Sequence, residues 1–278
     1  MKDRSQGIAS APFRAACYLL VAVFLAVYLL PLFFAFNTSI KSAQDYLNNP
    51  AGLTKSWAFS NYLVAWRRAS FGNYIFNSIL YTSVCTVASL LLSLFIAFPI
   101  ARRYVPFAGL WYYLFLCGLF LPSGAIPLFQ IVLNLGLYDT KLGYMLIMTG
   151  VNATSVFFFT GYLKSLPRDM DEAAVIDGCG YLRYMLRCVV PLAKPAIASM
   201  GLLTMIGVWN DIVSSTIYLT SESNYNITRG LFVFTGQYSN DWTLTAAGLL
   251  VVAAPLILIY IFGQRYIVDG VMAGGLKG

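Results

Sequence analysis

Apolar residues fall into six long runs, at about 16–36, 75–100, 107–132, 142–163, 196–219 and 243–263. Each is long enough to cross ~30 Å of hydrocarbon as a helix rising ~1.5 Å per residue. Lys2, Arg4 and Arg14 precede the first run as they would a signal peptide. Its apolar core is too long for one and no small-residue cleavage site follows, so the run is expected to be retained. The third run carries Pro122 and Pro127 around Gly124. That predicts a kinked or locally unwound helix, covered by protein or a water-filled cavity. Between the first two runs, segment 37–74 with Trp57, Tyr62, Trp66 and Phe71 reads as an outside loop with an interfacial amphipathic piece. The pattern predicts an all-α integral membrane protein: an N-terminal stretch 1–15, a six-helix region 16–263 and a tail 264–278.

Composition agrees. The chain is 59% hydrophobic and 10% charged, against about 25% charged in soluble domains. Its net charge of +7 comes from residues flanking the apolar runs, which is how topology determinants are placed and not how a nucleic-acid surface is built. If the N-terminus starts inside, the inner side receives Lys2, Arg4, Arg14, Arg102, Arg103, Lys164, Arg168, Arg183, Arg187, Lys194, Arg265 and Lys277. The outer side receives Lys41, Lys55, Arg67, Arg68, Lys141 and Arg229, so twelve face six and both termini are expected in the cytosol. Cys17, Cys85, Cys117, Cys179 and Cys188 are scattered, and the chain has no histidine. That removes the common metal sites and the usual general base, leaving a membrane-embedded enzyme little support.

The polar exception is the loop 164–195. Pro167 suits a first helical position, Asp169, Asp171 and Glu172 sit at the positive end of a helix dipole, and Gly178 is a natural stop. A second helix is expected from Tyr181 to Val190, before Pro191 interrupts it. Met170, Ala173, Ala174 and Ile176 give the first helix a small, apolar face. Such a helix either lies on the bilayer or is presented to a protein in the cytosol. Its acidic residues favour the protein, because interfacial helices prefer Lys and Arg against anionic lipid.

Glu172-Ala173-Ala174, three residues, Gly178, then Val190-Pro191 resembles the EAA loop of ABC-importer permeases, E-A-A-x3-G-x9-I-x-L-P. Cys188 and Val190 stand where isoleucine and leucine are usual, and both keep apolar character. Asn77-Ser78, Trp209-Asn210-Asp211 and the tail from Gln264-Arg265-Tyr266 to Gly274-Gly275-Leu276-Lys277-Gly278 extend the likeness over essentially the whole chain. Together they are similar to the MalG-like permeases of maltose-type carbohydrate importers. The resemblance implies the type I ABC-importer permease fold in the bacterial cytoplasmic membrane, inner or plasma, as half of a translocation pathway for a di- or oligosaccharide. It also implies a second, MalF-like permease, two copies of a cytosolic ATPase and an extracytoplasmic solute-binding protein. Glu172 would then make the ionic contact to the ATPase, Ala173 and Ala174 its close packing, and Gly178 the turn, with Asp177 and Pro191 in the same loop. Residues Gly274 to Gly278 would reach the ATPase interface. No G-x-x-x-x-G-K-S/T phosphate loop occurs, so this chain is expected to be non-catalytic, with Mg-ATP bound by the partner.

Other polar residues are pathway candidates. Ser78, Thr82, Thr86, Ser89 and Ser93 share one face of the second run. They either line a sugar route or let helices pack closely. Asp211, beside Trp209 and Asn210, is the one acidic or basic residue well inside a run. It is read as a sugar contact, a cap on an unwound turn, or a pair for the partner permease. Asn152 and Ser155 are a further pair. Segment 221–242, with Tyr225, Arg229, Phe232 and Tyr238, either reaches the binding protein or folds onto the permease's own surface. An ion-coupled secondary transporter is the alternative, although it leaves the EAA-like loop unexplained.

Overall fold

The computed structural model describes residues 11–121, 124–234 and 241–275. All regular secondary structure among them is helical, as the apolar runs predict. The chain divides into two compact units, Met1–Ala69 with Leu231–Ala253 and Ser70–Gly230 with Ala254–Gly278.

The first unit opens with α1 (Ala11–Ser39), whose apolar side chains are exposed from Phe13 to Phe34. A polar knot follows, containing α2 (Ala43–Asn48) and α3 (Ser60–Arg68). Lys41 is fully buried in it, and its Nζ donates to the carbonyls of Asn49, Pro50 and Gly52 at 2.7, 3.0 and 2.7 Å. These oxygens replace the water the ammonium has lost. Asn37 donates to the Gly52 carbonyl at 2.8 Å, and Asn61 donates to the carbonyls of Ser39 and Lys41. Asp45 accepts from the backbone N–H groups of Lys55 and Ser56 and from the side chains of Ser56 and Thr54. The Lys55 N–H bond is the main reason its carboxyl lies below the usual range. The expected loop is therefore a built structure held by side chain-to-backbone bonds.

The second unit is organised on α4 (Phe71–Arg102). Next come α5 (Ala108–Gly118), α6 (Ala125–Asn134), α7 (Lys141–Met148), α8 (Ala153–Lys164) and α9 (Asp169–Ile176). After α10 (Tyr181–Tyr184), one π-helical stretch, Met185–Val189, leads into α11 (Val190–Leu192), so the helix expected to end before Pro191 runs through it to Leu192. Pro191 cannot donate a backbone hydrogen bond, which favours such a widened turn. Then follow α12 (Lys194–Trp209), α13 (Val213–Tyr218), α14 (Ile227–Gly230) and α15 (Trp242–Gly275), the last shared between the units. Towards the Arg102 end of α4, Leu94, Phe98, Phe159, Leu163 and Met185 form an apolar core, and towards the Phe71 end Tyr81, Cys85, Tyr144 and Leu219 form another.

Among the described residues, Phe13–Ser39, Phe71–Arg102 and Trp242–Ile261 are each long and apolar enough to cross a membrane. The run at 142–163 is a pair of helices bent by 47°, and Tyr181–Leu192 with Lys194–Trp209 is a pair bent by 80°. The run at 107–132 is two short helices, α5 and α6. Pro127 lies in the first turn of α6, where a missing N–H costs nothing, and Pro122 lies outside the described residues.

Candidate functional site

The acidic loop forms the expected helix, but Pro167 precedes it instead of opening it, with Arg168 at the N-cap. α9 begins at Asp169 with Asp171 and Glu172 in its first turn. It ends in a Schellman motif: the Gly178 N–H donates to the Val175 carbonyl at 3.0 Å and the Cys179 N–H to that of Ala174 at 2.9 Å. Gly178 takes φ +66°, the left-handed conformation that glycine adopts without strain.

What orients α9 is less local. Asp171 is its one buried residue. The Arg102 Nε lies 2.7 Å from the Asp171 carboxylate, with side chains 4% and 5% exposed. Tyr104 donates to the same carboxylate at 3.1 Å, and Tyr184 donates to its other oxygen. The remaining Arg102 nitrogens donate to the carbonyls of Leu166 at 3.0 Å and Pro167 at 3.3 Å. Burial first, and then the Asp171 charge, pushes the Tyr104 hydroxyl above its usual pKa, so it remains a donor. Removing one member of such a pair leaves a buried charge, at a cost of roughly 3–5 kcal/mol. Arg102 carries no sequence signal beyond that of a topology charge at a helix end.

With Asp171 turned inward, Glu172, Ala173, Val175, Ile176, Asp177 and Gly178 face outward, while Met170 and Ala174 are half-buried. Val175 is 76% and Ile176 85% exposed. Pro191 is exposed at the bend after the π-helical stretch. There Tyr162 donates to the Leu192 carbonyl at 3.0 Å.

The α4 stripe is buried throughout. Ser78 accepts from the Ile227 N–H at 2.7 Å and Ser89 donates to the Gly150 carbonyl at 3.1 Å. Among the described residues, the hydroxyls of Thr82, Thr86 and Ser93 have no hydrogen-bond partner. Ser89 also lines a cavity of about 370 Å³ with Asn152, Thr154, Thr204, Met148 and Met200. Asn152 caps α8 by accepting from the Thr154 N–H at 2.9 Å, and Ser155 is buried beside it.

Asp211 sits where the helix unwinds after Trp209. Its carboxylate accepts from the N–H groups of Ser214 and Ser215 at 3.1 and 2.8 Å and from the Tyr144 hydroxyl at 2.9 Å. Carbonyls freed by the break are also satisfied: Thr228 donates to Trp209 and Asn226 to Asp211. Trp209 is buried and Asn210 exposed.

The segment after α13 is tied down in the same way. Asn77 donates to the carbonyls of Ser223 and Tyr225, and Lys141 donates to Asn77 at 2.7 Å. Arg229 stacks 4.3 Å over the Tyr225 ring. A Cβ on Gly230 would meet the Tyr74 ring at 2.5 Å, so the close approach there needs glycine. Asp139 receives the N–H groups of Thr220 and Ser221 and the Ser221 hydroxyl. Burial raises its pKa, but these bonds outweigh burial and hold it well below the usual range. Phe232 is half-exposed in the first unit, and Tyr238 lies outside the described residues. Gly274 and Gly275 close α15, whereas Leu276, Lys277 and Gly278 lie outside the described residues.

Residues 76–272 match the family described as binding-protein-dependent transport system inner membrane component. The chain belongs to that family. This transport-system component is 29% identical to the diacetylchitobiose uptake system permease protein NgcG of Streptomyces coelicolor, over 95% of this chain and 89% of the relative. It is 28% identical to the melibiose/raffinose/stachyose import permease protein MelC of Bacillus subtilis, over 94% and 95%. Its fold matches a chain of a bacterial ABC transporter involved in import of the acidic polysaccharide alginate. The TM-score is 0.81 at 24% identity, covering 96% of this chain and 99% of that one. It is thus an all-α membrane transport component with an ABC-importer fold.

Proposed function

We propose that this chain is a permease subunit of an ATP-driven, binding-protein-dependent importer of a di- or oligosaccharide. It forms half of the pathway and is driven through α9 by a cytosolic ATPase. The observation that carries the reading is the outward face of α9, where Glu172 and Ala173 lie beside the strongly exposed Val175 and Ile176. An apolar tip beside a carboxylate suits a cleft that buries the tip and meets Glu172 with a cation. The relatives named for diacetylchitobiose and for melibiose, raffinose and stachyose support a short sugar as cargo.

In this reading both termini and α9 are cytosolic, as the twelve-to-six distribution of positive residues favours. A second, MalF-like permease completes the pathway, and two ATPase copies bind and hydrolyse Mg-ATP. Gly178 sets the turn that leaves Asp177 and the tip free, Pro191 bends the chain toward the bundle, and Gly274 to Gly278 approach the ATPases. Asn152, Ser155, Ser78, Thr82 and Trp209-Asn210-Asp211 border the route. Tyr225, Arg229, Phe232 and Tyr238 meet the solute-binding protein on the far side.

The test is Glu172→Ala in the complex purified with its ATPase. The variant should insert normally but lose ATPase association, or hydrolyse ATP without uptake. Unchanged assembly and transport would remove the coupling role of α9. Uptake sustained by a proton or sodium gradient without ATP would instead favour an ion-coupled secondary transporter.

A further inference from the structure

We infer that Arg102 is a positioning residue: it clamps α9 to the end of α4, so that a push on α9 is carried into the bundle as one rigid movement. The inference rests on the docking role proposed for α9 and assigns the joint through which that role acts.

An eight-residue helix is not stable alone and takes its pose from tertiary contacts. Here those contacts are few. Asp171 is the one buried residue of α9, with only Met170 and Ala174 half-buried beside it. One guanidinium holds both the helix, through Asp171, and its entry, through the Leu166 and Pro167 carbonyls. Those two carbonyls precede the helix, so its own ladder does not use them. The Asp171 carboxylate also collects Tyr104, from the connection after α4, and Tyr184, from α10. Polar groups from α4, from the connection after it and from α10 therefore meet at one ion pair, and at 4% and 5% exposure little solvent screens it. From that joint α4 runs through the bundle to Ser89 in the wall of the 370 Å³ cavity. The planar fork of arginine spreads its donors over three nitrogens and so reaches a carboxylate and two separate carbonyls, whereas a lysine's donors all leave one atom.

The test uses the complex purified with its partner subunits, all native cysteines of this chain replaced, and a reporter Leu203→Cys, since Leu203 also lines the cavity. Labelling by a charged thiol reagent is compared without nucleotide and with Mg-ATP plus vanadate. Arg102→Gln should retain the ATPase and hydrolyse ATP, yet lose most of the nucleotide-dependent change in labelling. Arg102→Lys should retain part of it, and Tyr184→Phe, which removes one hydrogen bond, nearly all. A purely structural role predicts fewer assembled complexes, each with a full response. A full response in assembled Arg102→Gln overturns the inference and leaves the docking reading standing. If Arg102→Gln does not assemble, Arg102→Lys and Asp171→Asn are held to the same criterion. Glu172→Ala is run in parallel, and if it leaves ATPase association and coupling intact, the docking reading fails first.

Discussion

Two aspartates, Asp171 and Asp211, hold the second unit together by different physics. Asp171 is buried and paired with Arg102, which lies 69 residues away in sequence. Asp211 is half-exposed and meets no cation among the described residues. Backbone N–H groups three and four residues ahead, with the Tyr144 hydroxyl, occupy it. One aspartate is a tertiary joint that needs its charge. The other is a cap that needs only acceptor oxygens. A carboxylate in an apolar run thus has two distinct explanations, and its partners decide between them.

The contrast breaks most readily on paired Asp→Asn substitutions, read by thermal unfolding of the purified protein. Asp171→Asn leaves Arg102 buried without its counter-charge and should destabilise by about 3 kcal/mol. Asp211→Asn keeps one capping oxygen for Ser215 and Tyr144, loses the Ser214 bond, and should cost about 1 kcal/mol. Equal losses would dissolve the distinction. Tyr144→Phe removes the one distant donor to Asp211 and should cost about 1 kcal/mol, leaving α13 capped. Gly178→Ala forces a Cβ into φ +66° and should cost roughly 1 kcal/mol. That loss appears as fraying at the end of α9, read by amide exchange at Cys179.

The smallest effect concerns pH. Asp45 and Asp139 both have lowered folded-state pKa values, so their contribution is present above the unfolded value of about 3.9. It is lost as pH falls through the lower folded values. Amide protection at Lys55, Thr220 and Ser221 should hold from neutral pH down to the ordinary carboxylate range and fall only below it. Loss near pH 6 would show that these carboxylates are not the anchors.

Much of the loop was legible because its signals are local. Acidic residues after Pro167 and a glycine after Ile176 place α9, and the geometry follows to the cap bonds. The Ser78-to-Ser93 face was legible for the same reason, since helical period alone sets it. Breaks inside apolar runs were harder to see. The turn after Trp209 depends on Thr228 and Asn226 returning from the next segment to satisfy freed carbonyls, and periodicity does not register them. Arg102 was hidden most completely. In sequence it is one of two adjacent arginines closing a run, of which Arg103 is exposed and Arg102 buried.

By itself, the sequence determined which stretches are helical and apolar, which faces are apolar and where α9 stops, because propensity, period and capping act within a few residues. Tertiary structure alone decided that Asp171 turns inward, that Val175 and Ile176 therefore turn outward, and that Arg102 is a clamp. Those outcomes depend on which distant groups meet once water is excluded, and the strength of a charge pair depends on that exclusion.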